Sequence, residues 1–240
     1  MSALSSWFQG IDLSRIISWL MFAGAALIAI SVHESCHALS AYWLGDDTAK
    51  RMGRNSLNPL RHLDPLGFIM MVVAHFGWAK PTPVNPYRMT KVKSPKLGMA
   101  ITALAGPVSN LILALLFGLL FALCGGRITT AGELGVFLGN EKNALYYLCQ
   151  FCFSCFTLNA GLAIFNLIPI SPLDGSKILA IVLPEDSYAQ LMRYERYGMI
   201  LLIALLWFGV LDGPLEVLLK GLLRGIYAIT EPLARLVTGG

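Results

Sequence analysis

His33-Glu34-Ser35-Cys36-His37 follows directly on seventeen uncharged residues, 16–32, and that junction constrains the chain more than any other feature. A run of this length carries a helix most of the way across a bilayer, for which about 20 residues suffice. On a helix, the H-E-x-x-H spacing sets two imidazoles one turn apart on one face, where both can bind one zinc ion. The glutamate between them then lies beside the metal's open position, placed to act as a general base. Ionisable groups inside a spanning segment are costly and default to function. The expectation is a hydrolytic zinc site within a membrane helix.

Composition agrees. Of 240 residues, 56% are hydrophobic and 13% charged, against about 25% charged in ordinary soluble domains. Mean hydropathy is +0.65. A net charge of +4 gives no argument for nucleic acid, because the basic residues sit where a membrane protein keeps its cytoplasmic loops. The first 13 residues lack the basic start of a signal peptide. The five cysteines are odd in number and all lie in apolar segments, which argues against a disulfide framework.

The expected fold is an all-α polytopic membrane protein, one domain over residues 1–240 with its core at 16–211. Spans are expected at 16–45, 97–124 and 144–169. A short fourth is expected at 198–211, extended upstream by residues 188–197, so that four to five helices cross in all. Residues 66–79 are apolar but too short to span. Pro65, Gly67 and Gly77 point to a re-entrant or β-hairpin-like loop there rather than a helix. Leu215, Leu218, Leu219, Leu222, Leu223 and Ile226 recur at helical spacing, with Glu216, Lys220 and Arg224 on another face. That pattern describes an amphipathic helix over 214–239 lying in the interface.

Lysine and arginine set the orientation. Lys50, Arg51, Arg54, Arg61, Lys80, Arg88, Lys91, Lys93 and Lys96 fall in the first loop, and Lys177, Arg193 and Arg196 after the third span. The other side has Arg15, Arg127 and Lys142 before the C-terminal helix. The twelve-to-three bias puts the N-terminus outside. His33 then lies roughly 25 Å down its helix, near the cytoplasmic leaflet of a multi-pass protein of the cell membrane.

A catalytic zinc needs a third protein ligand and an open position for water. Asp46, Asp47 and Asp64 belong to the basic loop, Asp186 to a later polar loop and Asp212 to the opposite side. Asp174 directly follows the third span, on the side of His33 and His37. It closes the stretch Asn166-Leu167-Ile168-Pro169-Ile170-Ser171-Pro172-Leu173-Asp174-Gly175, where the two prolines prevent an ordinary helix. Unwound backbone at that depth is tolerated where it lines a polar cavity. Gly175 is expected to let the chain turn tightly after the carboxylate.

H-E-x-x-H in one membrane helix, followed far downstream by N-x-x-P-x-x-x-L-D-G, resembles the site-2 protease family of intramembrane zinc metalloproteases. The resemblance extends to residues 58–67 (NPLRHLDPLG), 77–86 (GWAKPTPVNP) and 105–110 (AGPVSN), and covers roughly residues 16–183. With no PDZ or CBS domain, the chain is similar to the minimal group. The resemblance implies peptide-bond hydrolysis in transmembrane segments of membrane proteins near the cytoplasmic face. It implies zinc held by His33, His37 and Asp174, with Glu34 moving the water's proton. Asn166 matches the motif asparagine and is expected to bind the substrate backbone or the oxyanion, or else to serve as a polar packing contact between helices. The segment 66–78 would offer a strand edge to the unwound substrate, or act as a structural plug that shields the zinc site from lipid, or both.

A non-catalytic, zinc-containing relative that binds membrane helices has no need of Glu34, and an ion transporter would not need the H-E-x-x-H spacing. Cys149, Cys152 and Cys155 read as small hydrophobes in an apolar helix rather than metal ligands, and Cys36 as packing. His62 and His75 read as structural histidines. Gly106, Pro107 and Asn110 read as a packing and kink element beside the site.

Overall fold

The computed structural model describes residues 13–74, 79–129, 135–137, 143–184 and 195–238. Helix α1, Leu13–Trp43, carries the H-E-x-x-H motif near its C-terminal end. A loop follows that holds two short helices, α2 (Thr48–Arg51) and α3 (Pro65–Ala74). Helix α4, Pro95–Leu123, starts on the Ser94 hydroxyl, which accepts from the Leu97 N–H at 3.2 Å, with Pro95 in its first turn. Strands β1 (Arg127–Thr129) and β2 (Gly135–Phe137) form an antiparallel pair in which Ile128 faces Val136. Helix α5, Ala144–Asn166, is capped by Asn143. Then come α6 (Asp174–Leu179), α7 (Glu195–Trp207) and α8 (Asp212–Thr238).

Helices α1, α4 and α5 pack on one another, and α8 lies against α4 and α5. Small residues make this possible. Ala25, Ala26 and Ala29 of α1, Ala114 of α4 and Ala160 of α5 are fully buried. Lipid gives helices no hydrophobic reason to associate, so close backbone approach and dispersion must do it. Phe121 and Phe156 fill the centre with Cys149, Cys152, Leu223 and Ile226. The cysteine run is thus buried packing, and all five cysteines are unbridged. Outward, large apolar side chains such as Leu20, Ile112, Leu148 and Leu201 are exposed. That is the surface of a protein solvated by lipid.

Among the described residues, α1, α4 and α5 are long and apolar enough to cross a membrane. The pair α7 and α8, bent at 84°, makes a fourth if it counts as one span. Helix α7 begins upstream of the expected residue 198 and ends at Trp207. Helix α8 is amphipathic as expected, but it is anchored to the bundle through Leu223, Ile226, Thr230 and Ala234. Ile226 sits on Gly118, whose missing side chain makes the room.

Two expectations fail. The hairpin-like loop and strand edge expected from residue 66 are helical over Pro65–Ala74. Pro65 starts that helix instead of breaking it: at the first position it has no N–H to forfeit. The Asp64 carboxylate accepts from the Gly67 N–H at 2.8 Å. Residues 75–78, including His75, lie outside the described residues. Gly175 also has another job than a turn. It stands inside α6, and a Cβ there would meet the carbonyl oxygens of Leu167 and Ile168 at 2.3 and 2.4 Å. Its lack of a side chain lets α6 close on the end of α5.

Candidate metal centre

The H-E-x-x-H spacing places His33 and His37 on the face of α1 that meets α4. Their Nε2 atoms are 3.0 Å apart. The proline turn after α5 returns the chain so that Asp174, first residue of α6, brings Oδ2 to 3.2 Å from His33 Nε2 and 3.1 Å from His37 Nε2. All three residues are buried, and among the described residues they form the one His/Cys/Asp/Glu cluster able to hold a metal.

The residues fit a zinc ion on two counts. Donors bound at about 2.0–2.1 Å to tetrahedral zinc stand about 3.3 Å apart, close to the three distances found. The chemistry of the facing atoms agrees. His37 Nδ1 donates to the Thr102 carbonyl at 2.7 Å, so that whenever the ring is neutral Nε2 is its lone-pair nitrogen. Asp174 Oδ2 is buried without a hydrogen-bond donor. Lone pairs converge on a point that a cation satisfies.

Gly106 of α4 lies directly against the imidazoles. A Cβ there would stand 2.5 Å from Cε1 of both rings and 2.6 Å from His37 Nε2. The packing role expected for Gly106 is therefore specific to the two histidines. His33 Nδ1 meets Asn110 Oδ1 at 2.6 Å, so Asn110 contacts the site as well.

Glu34 is buried beside them. Its Oε2 accepts from the Thr82 N–H at 2.8 Å, and the Thr82 hydroxyl donates to the Glu34 carbonyl at 3.0 Å. Prolines 81 and 83 have no N–H, so the donor of that tripeptide goes to the glutamate. The strap around Thr82 is itself fixed. Buried Arg54 donates to the Pro81 carbonyl at 3.1 Å and to that of Lys80, while the Lys80 N–H donates to the His62 carbonyl at 2.9 Å. The Asn85 N–H donates to fully buried Asp46 at 2.6 Å.

A cavity of about 240 Å³ opens beside the cluster, lined by Glu34, Thr82, Asn166, Pro172 and Lys177 together with the three candidate ligands. Lys177 Nζ lies 3.7 Å from Asp174 Oδ1. Asn166 reaches this wall, but its Nδ2 donates to the Leu162 carbonyl at 3.0 Å. The carboxylates of the first loop are occupied elsewhere: Asp46 accepts from the Thr48 N–H, Asp47 pairs with Arg51 and Arg88, and Asp64 caps α3, while Asp186 lies outside the described residues. His62 is fully buried and packed under the loop, its Nε2 donating to the Ser56 carbonyl at 2.6 Å. Thr82 and Lys177 were not singled out in the sequence. The signal for Thr82 was its place as the one N–H donor between two prolines.

Residues 21–209 match the model of Peptidase family M50. The chain belongs to peptidase family M50. The protein named "Putative zinc metalloprotease YwhC" of Bacillus subtilis (strain 168) is 40% identical over 182 residues, which are 75% of this chain and 76% of that one. "Putative zinc metalloprotease Rip2" of Mycolicibacterium smegmatis is 28% identical over 206 residues, 83% of this chain and 68% of its own. Rip2 of Mycobacterium tuberculosis (strain H37Rv) is 26% identical over 212 residues, 86% and 71%. No solved structure matches significantly. As an M50 peptidase the chain is a metalloprotease, with zinc as the metal that its His-His-Asp donor set suits.

Proposed function

We propose that this M50 peptidase cuts transmembrane segments of membrane-protein substrates within the bilayer, near its cytoplasmic face, as a step of regulated intramembrane proteolysis. The observation that carries the reading is the buried His33–His37–Asp174 triangle on apolar helices, opening on a cavity that also contains Glu34. Its depth supports the cytoplasmic placement, because the strap joined to Glu34 belongs to the loop that carries nine of the basic residues.

His33, His37 and Asp174 would hold the zinc, which would supply an acidified water and a Lewis acid for the scissile carbonyl. Glu34 takes the water's proton and returns it to the leaving amine. The Thr82 N–H holds one carboxylate oxygen and so fixes the direction in which Glu34 works. Lys177 places positive charge on the cavity wall, suited to an oxyanion. Asn166 commits one of its two amide hydrogens to the Leu162 carbonyl, which leaves the second and its carbonyl oxygen for the substrate. The apolar outer surface gives a substrate helix access from lipid, and a helix must unwind to expose its peptide bonds.

The test is cleavage of a model transmembrane substrate by the purified, zinc-loaded chain, with product masses locating the cut. Glu34→Gln should abolish cleavage while zinc stays bound. Substrates with Gly, Pro or Asn near the cut should outpace Leu-substituted ones, since each lowers the cost of leaving the helix. A cut in a soluble loop, or one indifferent to helix stability, would overturn the intramembrane reading. Cleavage unaffected by Glu34→Gln would remove Glu34 from its role.

A further inference from the structure

Behind His33, away from the cavity, two asparagines from different helices form a buried chain. His33 Nδ1 meets Asn110 Oδ1 at 2.6 Å. Asn110 Nδ2 donates to Asn159 Oδ1 at 2.8 Å and to the Ala29 carbonyl at 3.3 Å. Asn159 Nδ2 donates to the Cys155 carbonyl at 2.8 Å. Both asparagines are fully buried. Two primary amides at that depth, tying α4 to α5 and to the motif helix, are costly unless every bond is made.

The direction of each bond is forced by the two ends. A backbone carbonyl can only accept. The Cys155 carbonyl therefore requires the NH2 of Asn159, which turns Asn159 Oδ1 toward Asn110. That oxygen and the Ala29 carbonyl both require the NH2 of Asn110, which turns Asn110 Oδ1 toward His33. An oxygen facing Nδ1 at 2.6 Å needs a proton on that nitrogen. His33 is then the Nδ1–H tautomer, with the Nε2 lone pair aimed at Asp174 and His37.

We propose that Asn110 and Asn159 are positioning residues: a polarity relay, anchored on the Cys155 and Ala29 carbonyls, that fixes the tautomer and ring orientation of His33 for zinc. The proposal rests on the reading of His33 as a zinc ligand. His37 reaches the same state by a shorter route, from the Thr102 carbonyl alone. Among the described contacts His33 Nδ1 has Asn110 Oδ1 in place of a backbone carbonyl, and the relay delivers a carbonyl's directing effect through two amides. Partners of this kind orient metal-bound imidazoles in general, and losing one costs on the order of 10–100-fold in metal affinity.

The decisive experiment compares Asn110→Asp with Asn110→Leu in the full chain in micelles, reading the zinc dissociation constant by chelator competition. A second reading takes the His33 tautomer from nitrogen-15 NMR of the metal-free protein. The imidazole needs an acceptor, so Asn110→Asp, which keeps that acceptor while losing the bonds to Asn159 and Ala29, should keep the Nδ1–H tautomer and more of the affinity than Asn110→Leu. Asn110→Leu should mix the tautomers and weaken zinc by about 10–100-fold. A packing role gives the opposite order, because leucine fills the space without burying a charge; that order would overturn the proposal. Should either variant fail to fold, the unmodified protein still decides: an Nε2–H tautomer at His33 refutes the relay outright. His33→Ala separates the two levels. If that variant keeps its zinc, the ligand assignment has failed rather than the relay.

Discussion

Replacing Gly106 by alanine adds one methyl group where the structure has least room. Its Cβ would stand 2.5 Å from Cε1 of His33, 2.5 Å from Cε1 of His37 and 2.6 Å from His37 Nε2. Carbon contacts are comfortable at about 3.5–4.0 Å, so roughly 1 Å must be found at three atoms together. Neither ring can give it freely, since Thr102 and Asn110 hold the far nitrogens at 2.7 and 2.6 Å. Overpacking of this kind costs about 1–3 kcal/mol in stability. A misplacement of about 1 Å at a catalytic site costs on the order of 10²-fold in rate. Gly106→Ala should therefore fold, with lowered stability, and lose about two orders of magnitude in cleavage together with part of its zinc. Gly161→Ala is the matched control, because a Cβ there meets nothing within 4 Å. Measurement needs only the initial cleavage rate, bound zinc and a thermal midpoint for the three proteins. Full activity and full zinc in Gly106→Ala would mean that the two imidazoles do not lie against α4.

Other outcomes follow from the same contacts. Asp174→Asn should lose most of its zinc by metal analysis, since it turns a carboxylate ligand into a neutral amide; full occupancy and activity would move the third ligand elsewhere. Thr82→Ala keeps the N–H to Glu34, whereas Thr82→Pro deletes it. A hydrogen bond to a charged group is worth about 1.5–3 kcal/mol, so Thr82→Pro should cut kcat by about 10–100-fold with zinc retained, and Thr82→Ala much less. On a cysteine-free background, an impermeant thiol reagent added outside should label Ser5→Cys and spare Lys93→Cys. The reverse pattern would invert the orientation.

What the sequence made legible was what periodicity and spacing encode. The spans were readable because spanning takes a fixed apolar length, and His33, Glu34 and His37 because a helix has one pitch. Asp174 could be placed because the topology left one carboxylate on the right side. Pro65 misled for a physical reason: proline breaks a helix from within but suits its first turn, and the cap from Asp64 decided between the two. Gly175 was read as a turn because close approach between α6 and the Leu167 carbonyl is a tertiary fact. Asn110, Asn159 and Thr82 make contacts spanning 77, 49 and 48 positions, and although local sequence drew notice to Asn110 and gave Thr82 its lone N–H between prolines, no local pattern records those partners.

Thr102, Gly106 and Asn110 recur every four residues on α4 and so share one face. Each meets the imidazoles differently: an acceptor for His37, a gap for both rings, an acceptor for His33. His37 lies by Thr102 and His33 by Asn110, so the two helices run antiparallel and one stripe serves the whole motif. With His33, His37 and Asp174 as the proposed ligands, zinc geometry would depend on helices α1, α4 and α6. Glu34 is held by Thr82, on a strap outside any regular element. The two functions are mechanically separate, which predicts how defects divide. Substitutions along the α4 stripe or at Gly175 should lower zinc affinity and turnover together. Substitutions of the strap and its anchors, Arg54 and Asp46, should lower turnover with zinc intact. Zinc loss from an Arg54→Met chain that still folds would refute that division, because the Arg54 side chain donates only to the carbonyls of Lys80 and Pro81 among the described contacts.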